Sequence, residues 1–507
     1  MPYKTLILCV LILCIFTSKG QKLVLTYEDA INMALGMSYT IKEYKNDRLK
    51  SSLSYDYYRA MFKPRIDFDL YVPSWQESVT QISQADGLPV YNSTGSFLLG
   101  ENLSFTYVLP TGGDLSLSSY MYYTNEQTKL ASNQSKLSNT LFYNSLALSF
   151  TQPVFTTNEP RQNLKEAELQ FQQTKHTFSR TQMDIIYNVA EGFYSLYRAM
   201  RTLDIAKEKL KNSIETLRIS KLMAEAGRLP EGDLMTAEIA VAQDEVSVSE
   251  KKGTLDKEKD LFKLLIGMDL DSDFEILPRL KTDEVAVDLD VAVKEGLKNR
   301  LEIPEAEIDI ELQKISIDRA KREREFKGSI SGYYDITGVS TLGSGSVGDL
   351  FKSSLNNFND RPPNRGLTFT ISYPISDWGR GKSRLHREEV ELLNRELDLD
   401  NLKNTIIIEI RDIVRTFNEN KEKFNVHEKN QELARRNYKI MELRFENGDI
   451  SSQDLAIERE RLSDIQIAYL DSYIAYQLAL ADLKRKTMWD FQNRKSYRID
   501  NTYEQQK

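Results

Sequence analysis

The sequence predicts a mixed fold in which amphipathic β-strands lead into long coiled-coil helical hairpins, the whole arrangement being written twice. Three observations carry this reading. Runs of period two occupy about residues 64–152 and 328–375. The chain has 13 prolines, yet none lies in 161–229 and none follows Pro374, and a long helix tolerates no interior proline. Residues 221 apart also match without a gap: Pro153 with Pro374, Leu196 with Phe417, Leu203 with Phe424, Gly227 with Gly448, Asp233 with Asp454.

From the N-terminus, Lys4, the apolar run from Leu6 to Phe16 and Ser18-Lys19-Gly20 read as an export leader over 1–20, cleaved before Gln21. Bulky Leu13 before Cys14 argues against a lipoprotein site. Cys9 and Cys14 leave with the leader, so the mature chain has no cysteine for disulfides, thiol chemistry or metal binding. Residues 23–62 read as short helices, with Leu25-Thr26-Tyr27-Glu28-Asp29 as a helix start. Then Ile66, Phe68, Leu70 and Val72 alternate with Asp67, Asp69 and Tyr71, a strand with one apolar face. Leu103–Leu109, Leu115–Ser118 and Leu146–Phe150 continue the alternation, separated by polar stretches at 74–96 and 124–140 that read as loops.

A helical hairpin follows over about 160–266. The apolar positions of its first arm, among them Val189, Phe193, Leu196, Leu203, Leu210, Ile214 and Leu217, mostly recur every three or four residues, the spacing of a coiled-coil seam. The pattern then repeats: strands near 328–337 and 366–375, a polar loop over 338–364, and a hairpin over about 380–486 with its own seam through Ile406, Ile410, Phe417 and Phe424. Two structural repeats, 21–270 and 271–489, thus follow the leader, and 490–507 reads as a polar tail. A length of 507 residues would ordinarily suggest three or four compact domains; the duplication replaces that expectation. Ala30–Leu35 match Ala292–Leu297 at an offset of 262 rather than 221, so the first repeat carries 41 extra residues among its strands.

Composition narrows the function. Lys and Arg number 67 against 75 Asp and Glu, a net charge of −8; without the leader's two lysines it is −10. That balance argues against a nucleic-acid partner. The mean hydropathy of −0.47 excludes a polytopic helical membrane protein. His176, His386 and His427 sit singly on the helical stretches, and no nucleophile–base set, phosphate loop or metal cluster appears, so neither an enzyme nor a cofactor is expected. Gly343-Ser-Gly345-Ser-Val-Gly348 matches a dinucleotide fingerprint literally but lies in a Ser/Gly/Asn loop, not in a βαβ unit.

Leu148-Ser-Phe-Thr-Gln-Pro153, its counterpart Phe369-Thr-Ile-Ser-Tyr-Pro374-Ile-Ser-Asp-Trp-Gly379-Arg, and Phe445-Glu-Asn-Gly448-Asp-Ile-Ser-Ser-Gln-Asp454 together resemble the TolC-like outer membrane efflux protein family over nearly the whole mature chain. The resemblance implies a homotrimeric β-barrel in the outer membrane of a Gram-negative bacterium, with four strands from each protomer and an α-helical periplasmic tunnel. It implies contact with outer membrane lipid and work with a periplasmic adaptor and an inner-membrane pump, in efflux or type I secretion. Physics agrees, because only a closed barrel leaves no unpaired strand edge in lipid. Here the 41 extra residues read as an additional hairpin at about 101–124, which either joins the barrel wall, giving six strands per protomer, or forms a loop hairpin outside it. By resemblance the tips Gly227, Arg228, Leu229, Pro230 and Gly448, Asp449, Ile450, Ser451 are candidate adaptor-docking loops, and Asp454 with Asp233 are candidate pore-constriction residues. Ile457 stands where a second carboxylate would be expected, which tells against a double acidic ring. Ser451-x-x-Asp454 also reads as a helix-capping box. A rival reading is a periplasmic coiled-coil scaffold or adaptor without a pore, against which the amphipathic strands and the duplication both argue.

Overall fold

The computed structural model describes residues 23–83, 87–129, 135–277, 285–340 and 346–496. The chain divides into two compact units, one holding residues up to 49, 173–306 and 397 onward, the other holding 50–172 and 307–396.

The first unit is helical. It holds β1 (Leu23–Leu25), α1 (Tyr27–Met37) and the start of α2 (Tyr39–Ala60). Most of α3 (Glu159–Glu225) and all of α4 (Glu231–Ile266) follow. The second repeat adds β6 (Phe274–Ile276) and α5 (Leu289–Asn299), with most of α8 (Arg380–Glu446) and all of α9 (Ser452–Thr487). The long helices match in length between the two halves. α3 and α8 are 67 residues each, and α4 and α9 are 36 each. β1 pairs in parallel with β6, joining the two repeats.

One core takes equivalent residues from both halves: Ala30 and Ala34 on α1 with Ala292 on α5, and Val189, Phe193 and Leu196 on α3 with Ile410 and Phe417 on α8. The small alanines let α1 and α5 sit close to the long helices. Toward the first tip the seam differs from the expectation. Ile214 is exposed and Leu217 only half-buried, while Ser213, Thr216 and Ser220 are buried instead. The interior there is polar, so apolar spacing alone could not find it. Past α9, β9 (Trp489–Asp490) and β10 (Lys495–Ser496) form a small antiparallel pair where a featureless polar tail is expected, and 497–507 lie outside the described residues.

The second unit is built on one antiparallel sheet, of β2 (Arg65–Ile82), β3 (Val90–Val108), β4 (Asp114–Lys129), β5 (Lys136–Val154), β7 (Lys327–Ser340) and β8 (Asn364–Ser372). The order is β2-β3-β4-β5-β7-β8, so the extra hairpin, β3 with β4, lies inside the same sheet as the other four strands. The polar stretches 74–96 and 124–140 are not simply loops. β2, β3, β4 and β5 run on through much of them, pairing Thr80 with Asn92 and Thr128 with Leu137. A ladder needs only backbone partners, so strand continues where no apolar face marks it.

The polar loop 338–364 also needs correction. It holds the end of β7 and a helix, α7 (Val347–Asp360), started by a capping box between Ser346 and Asp349. Gly343 and Gly345 lie outside the described residues. Gly348 sits in the first turn of α7, but β7 and β8 are antiparallel, so no βαβ unit stands behind the fingerprint. The unit also holds most of α6 (Glu302–Arg322), whose Arg319 forks onto Glu166 at 2.7 and 2.9 Å.

Candidate functional site

Two regions carry candidate function, the faces of the sheet and the tips of the helical hairpins.

The strand register sorts the sheet into unlike faces. On one face stand Asp67, Asp69, Asn102, Ser104, Ser118 and Ser149, with Ser331 and Thr368 across from one another at the far side. They bond across strands, as in Asn102 to Asp69 at 3.4 Å and Ser145 to Asp335 at 2.7 Å. Four tyrosines, Tyr71, Tyr120, Tyr122 and Tyr143, cluster on this face with ring centroids 5.0–6.3 Å apart. On the other face stand Phe68, Leu103, Leu117, Leu146, Leu148 and Phe369, all substantially exposed. Leu115 to Tyr123 on that face is eight residue steps, about 27 Å along the strand and about 21 Å once tilted by about 40°. That is close to the height of a membrane-exposed apolar band. Above it come Trp75, Phe97, Tyr123 and Phe142, a row of aromatics of the kind that marks a water–lipid boundary. β2 and β8 are the sheet's edges, each paired on one side only among the described residues.

The two tips close in the same way. At the first, Gly227 has φ +69°, and Arg228 N donates to Met223 O at 2.8 Å while Gly227 N donates to Ala224 O at 2.9 Å. At the second, Gly448 has φ +81°, with Asp449 N to Arg444 O at 2.8 Å and Gly448 N to Phe445 O at 2.9 Å. Both are Schellman closures, which need a left-handed residue that glycine adopts without a Cβ penalty. The returning helices start differently. Ser451 accepts from Asp454 N at 3.1 Å, and Asp454 Oδ2 accepts from Ser451 N at 3.2 Å and Ser451 Oγ at 2.8 Å. Those bonds hold the Asp454 carboxyl below its ordinary pKa. Pro230 starts α4 with no side-chain cap.

The structure brings the two tips together. Ser452 Oγ donates to Asp233 O at 3.2 Å, and Gly448 lies beside the Arg228 guanidinium. Phe445 and Leu455 form a small core of their own with Tyr438, against which Ile219 of α3 and Ile450 pack. Asp454 is exposed and Asp233 half-buried; Arg228 and Asp449 are exposed, Leu229 and Ile450 half-buried.

Behind the tips lies a polar cluster that sequence reasoning missed. Asp244 on α4 is buried and accepts from Lys209 of α3 at 3.1 Å and from Ser213, while Lys209 also reaches Glu460 on α9. Burial alone would lower the Lys209 pKa, but its two carboxylate partners raise it above the ordinary value. Nearby, Arg459 on α9 is buried, donates to Thr216 at 3.3 Å, and leaves Nε without a partner. A Ser/Thr run at positions 213, 216 and 220, spaced as a helical face, was the signal available in the sequence.

No family model and no curated protein matches the sequence. Solved structures do. The CmeC outer membrane channel of Campylobacter jejuni superposes with a TM-score of 0.66 at 14% identity, covering 94% of this chain and 88% of that one. The outer membrane protein VceC of Vibrio cholerae gives 0.63 at 14% identity, covering 91% and 95%. The MtrE outer membrane channel of Neisseria gonorrhoeae, in its open state, gives 0.62 at 14%, covering 91% and 88%. On that likeness, extending over more than nine-tenths of its length, the chain has the fold of the TolC-like outer membrane efflux channels.

Proposed function

We propose that three copies of this chain close their sheets into one barrel in the outer membrane and conduct substrates outward from a periplasmic adaptor and an inner-membrane pump. The observation that carries this reading is the sheet itself, apolar on one face, polar on the other and, among the described residues, open at both edges. An open edge in lipid leaves backbone groups unpaired at several kcal/mol each, so the edges must meet those of other copies. Three copies of six strands make eighteen, within the size (about 16–18) that leaves an aqueous channel. A second feature supports association. Val426, Leu433 and Ile440 on α8 are exposed and seven residues apart, an apolar seam with no helix upon it among the described residues.

In this reading residues 1–20 are the leader, 21–270 and 271–489 the two repeats and 490–507 the tail. The tips Gly227–Pro230 and Gly448–Ser451 dock the adaptor, and the α8/α9 hairpin moves to open the pore. Asp454 adds negative potential at the constriction, three copies around one axis favouring cations. The protein performs no chemistry, and the energy comes from the pump.

Conductance across planar bilayers tests the reading. Purified protein is expected to give discrete channels, and protein that is folded and inserted yet non-conducting would refute it. Asp454→Asn keeps a cap acceptor while removing the charge; reversal potentials in a salt gradient are expected to show weaker cation preference. Unchanged selectivity would remove Asp454 from the constriction.

A further inference from the structure

The helix α7 lies on the apolar face of the sheet, not on the polar one. Its Ser354 accepts a hydrogen bond from Asn144 of β5, and its Phe351 ring meets Phe142 edge-on at 5.4 Å. Asn144 and Phe142 belong to the same face as Leu146 and Leu148. Gly338, directly across from Asn144, has no Cβ, and one built there would strike the Ser354 carbonyl, so the helix is seated against bare backbone. Asn357 Nδ2 reaches Val339 O. The seat also hides Asn144, a polar side chain on an otherwise apolar face, leaving it 1% exposed.

Leu350 and Ser354 are spent on this packing, both fully buried. Val347, Phe351 and Leu355, each four residues from the next, remain exposed as a second apolar stripe. Phe351 joins that stripe to the aromatic row of Trp75, Phe97, Tyr123 and Phe142, so the stripe continues the sheet's apolar surface at its boundary. Lys352 on α7, beside Phe351, and Arg361 just beyond the helix are exposed cations. An apolar stripe, a flanking aromatic row and cations beside them make up the surface of an interfacial helix.

We propose that α7 is a membrane-interface anchor, inserting Val347, Phe351 and Leu355 among acyl chains on the outside of the barrel, with Lys352 and Arg361 reaching anionic headgroups. The inference rests on the reading of the sheet as barrel wall. It departs from the expectation of a free polar loop here, and it gives the outer end of the protein a lateral hold on the bilayer in addition to the barrel band.

Residues 21–507 contain no cysteine, so single cysteines introduced there can carry a fluorophore in protein lacking residues 1–20, reconstituted into phospholipid vesicles. Val347→Cys, Phe351→Cys and Leu355→Cys are expected to lose fluorescence to nitroxides on the lipid acyl chains and to be shielded from aqueous iodide, with Lys352→Cys and Asn356→Cys showing the reverse order. Leu103→Cys and Leu146→Cys on the sheet report the barrel wall separately. Sheet labels quenched from lipid while all three stripe labels are quenched by iodide would overturn the anchor alone. Stripe labels shielded from both quenchers would overturn it in favour of a protein cover. Sheet and stripe labels all quenched by iodide would overturn the barrel reading together with the anchor.

Discussion

At the level of single residues, the second tip depends on a few backbone groups and the side chains that satisfy them. Ser451→Ala removes the acceptor of Asp454 N and should cost about 1 kcal/mol of local stability, the usual loss on deleting such a cap. Hydrogen exchange at 452–455 should rise while the α3 core at 189–196 stays protected; equal change in both would contradict a local role. The same cap sets a pH dependence. The Asp454 carboxyl titrates below its ordinary 3.8 in the folded protein because it accepts from Ser451. Its contribution is therefore complete above that ordinary value and disappears as pH falls through the lower folded one. Protection of the first turn of α9 should hold at neutral pH and fade below about pH 4. In Ser451→Ala that fading should be weaker. Gly227, Gly448 and the Ser451–Asp454 box were legible because left-handed closures and caps have local chemistry. Whether Asp454 also faces a pore depends on other copies, which no local pattern encodes.

At the level of elements, the long hairpins were legible because one rule, apolar spacing without proline, holds over most of α3 beyond Pro160 and again over α8. The strands were legible only where one face is apolar and the other polar, as at Ile66–Leu70. Where both faces are polar, as near Thr80 and Thr128, the backbone ladder carries the strand and the side chains give no sign of it. The helix α7 was missed for a different reason. Its Ser346–Asp349 box and its apolar residues at 347, 350, 351 and 355 are on view, but the Gly/Ser run before them reads as loop. The buried cluster of Lys209, Asp244 and Ser213 holds α3 to α4, and Glu460 extends it to α9. Lys209→Met leaves Asp244 buried beside a single hydroxyl partner, and breaking such a pair should cost about 3 kcal/mol. Thermal unfolding should shift accordingly, and adding Asp244→Asn should restore much of the loss. A double variant no better than Lys209→Met would contradict the assignment of that cost to the stranded charge.

At the level of the whole molecule, the two pairs of long helices match at 67 and 36 residues each, as a duplicated chain would have them. The 41-residue insertion has a structural identity, the β3–β4 hairpin, paired on both sides within one sheet. The resemblance implied four strands from each protomer; this chain presents six. The central claim is that the open edges β2 and β8 meet those of other copies. Image reconstruction of the purified protein in lipid nanodiscs tests it most directly. The account predicts a threefold ring whose membrane wall contains eighteen strands, β2 of each copy bonded to β8 of the next. A wall of twelve strands with β3 and β4 outside it, or a monomer with both edges open to lipid, would contradict it.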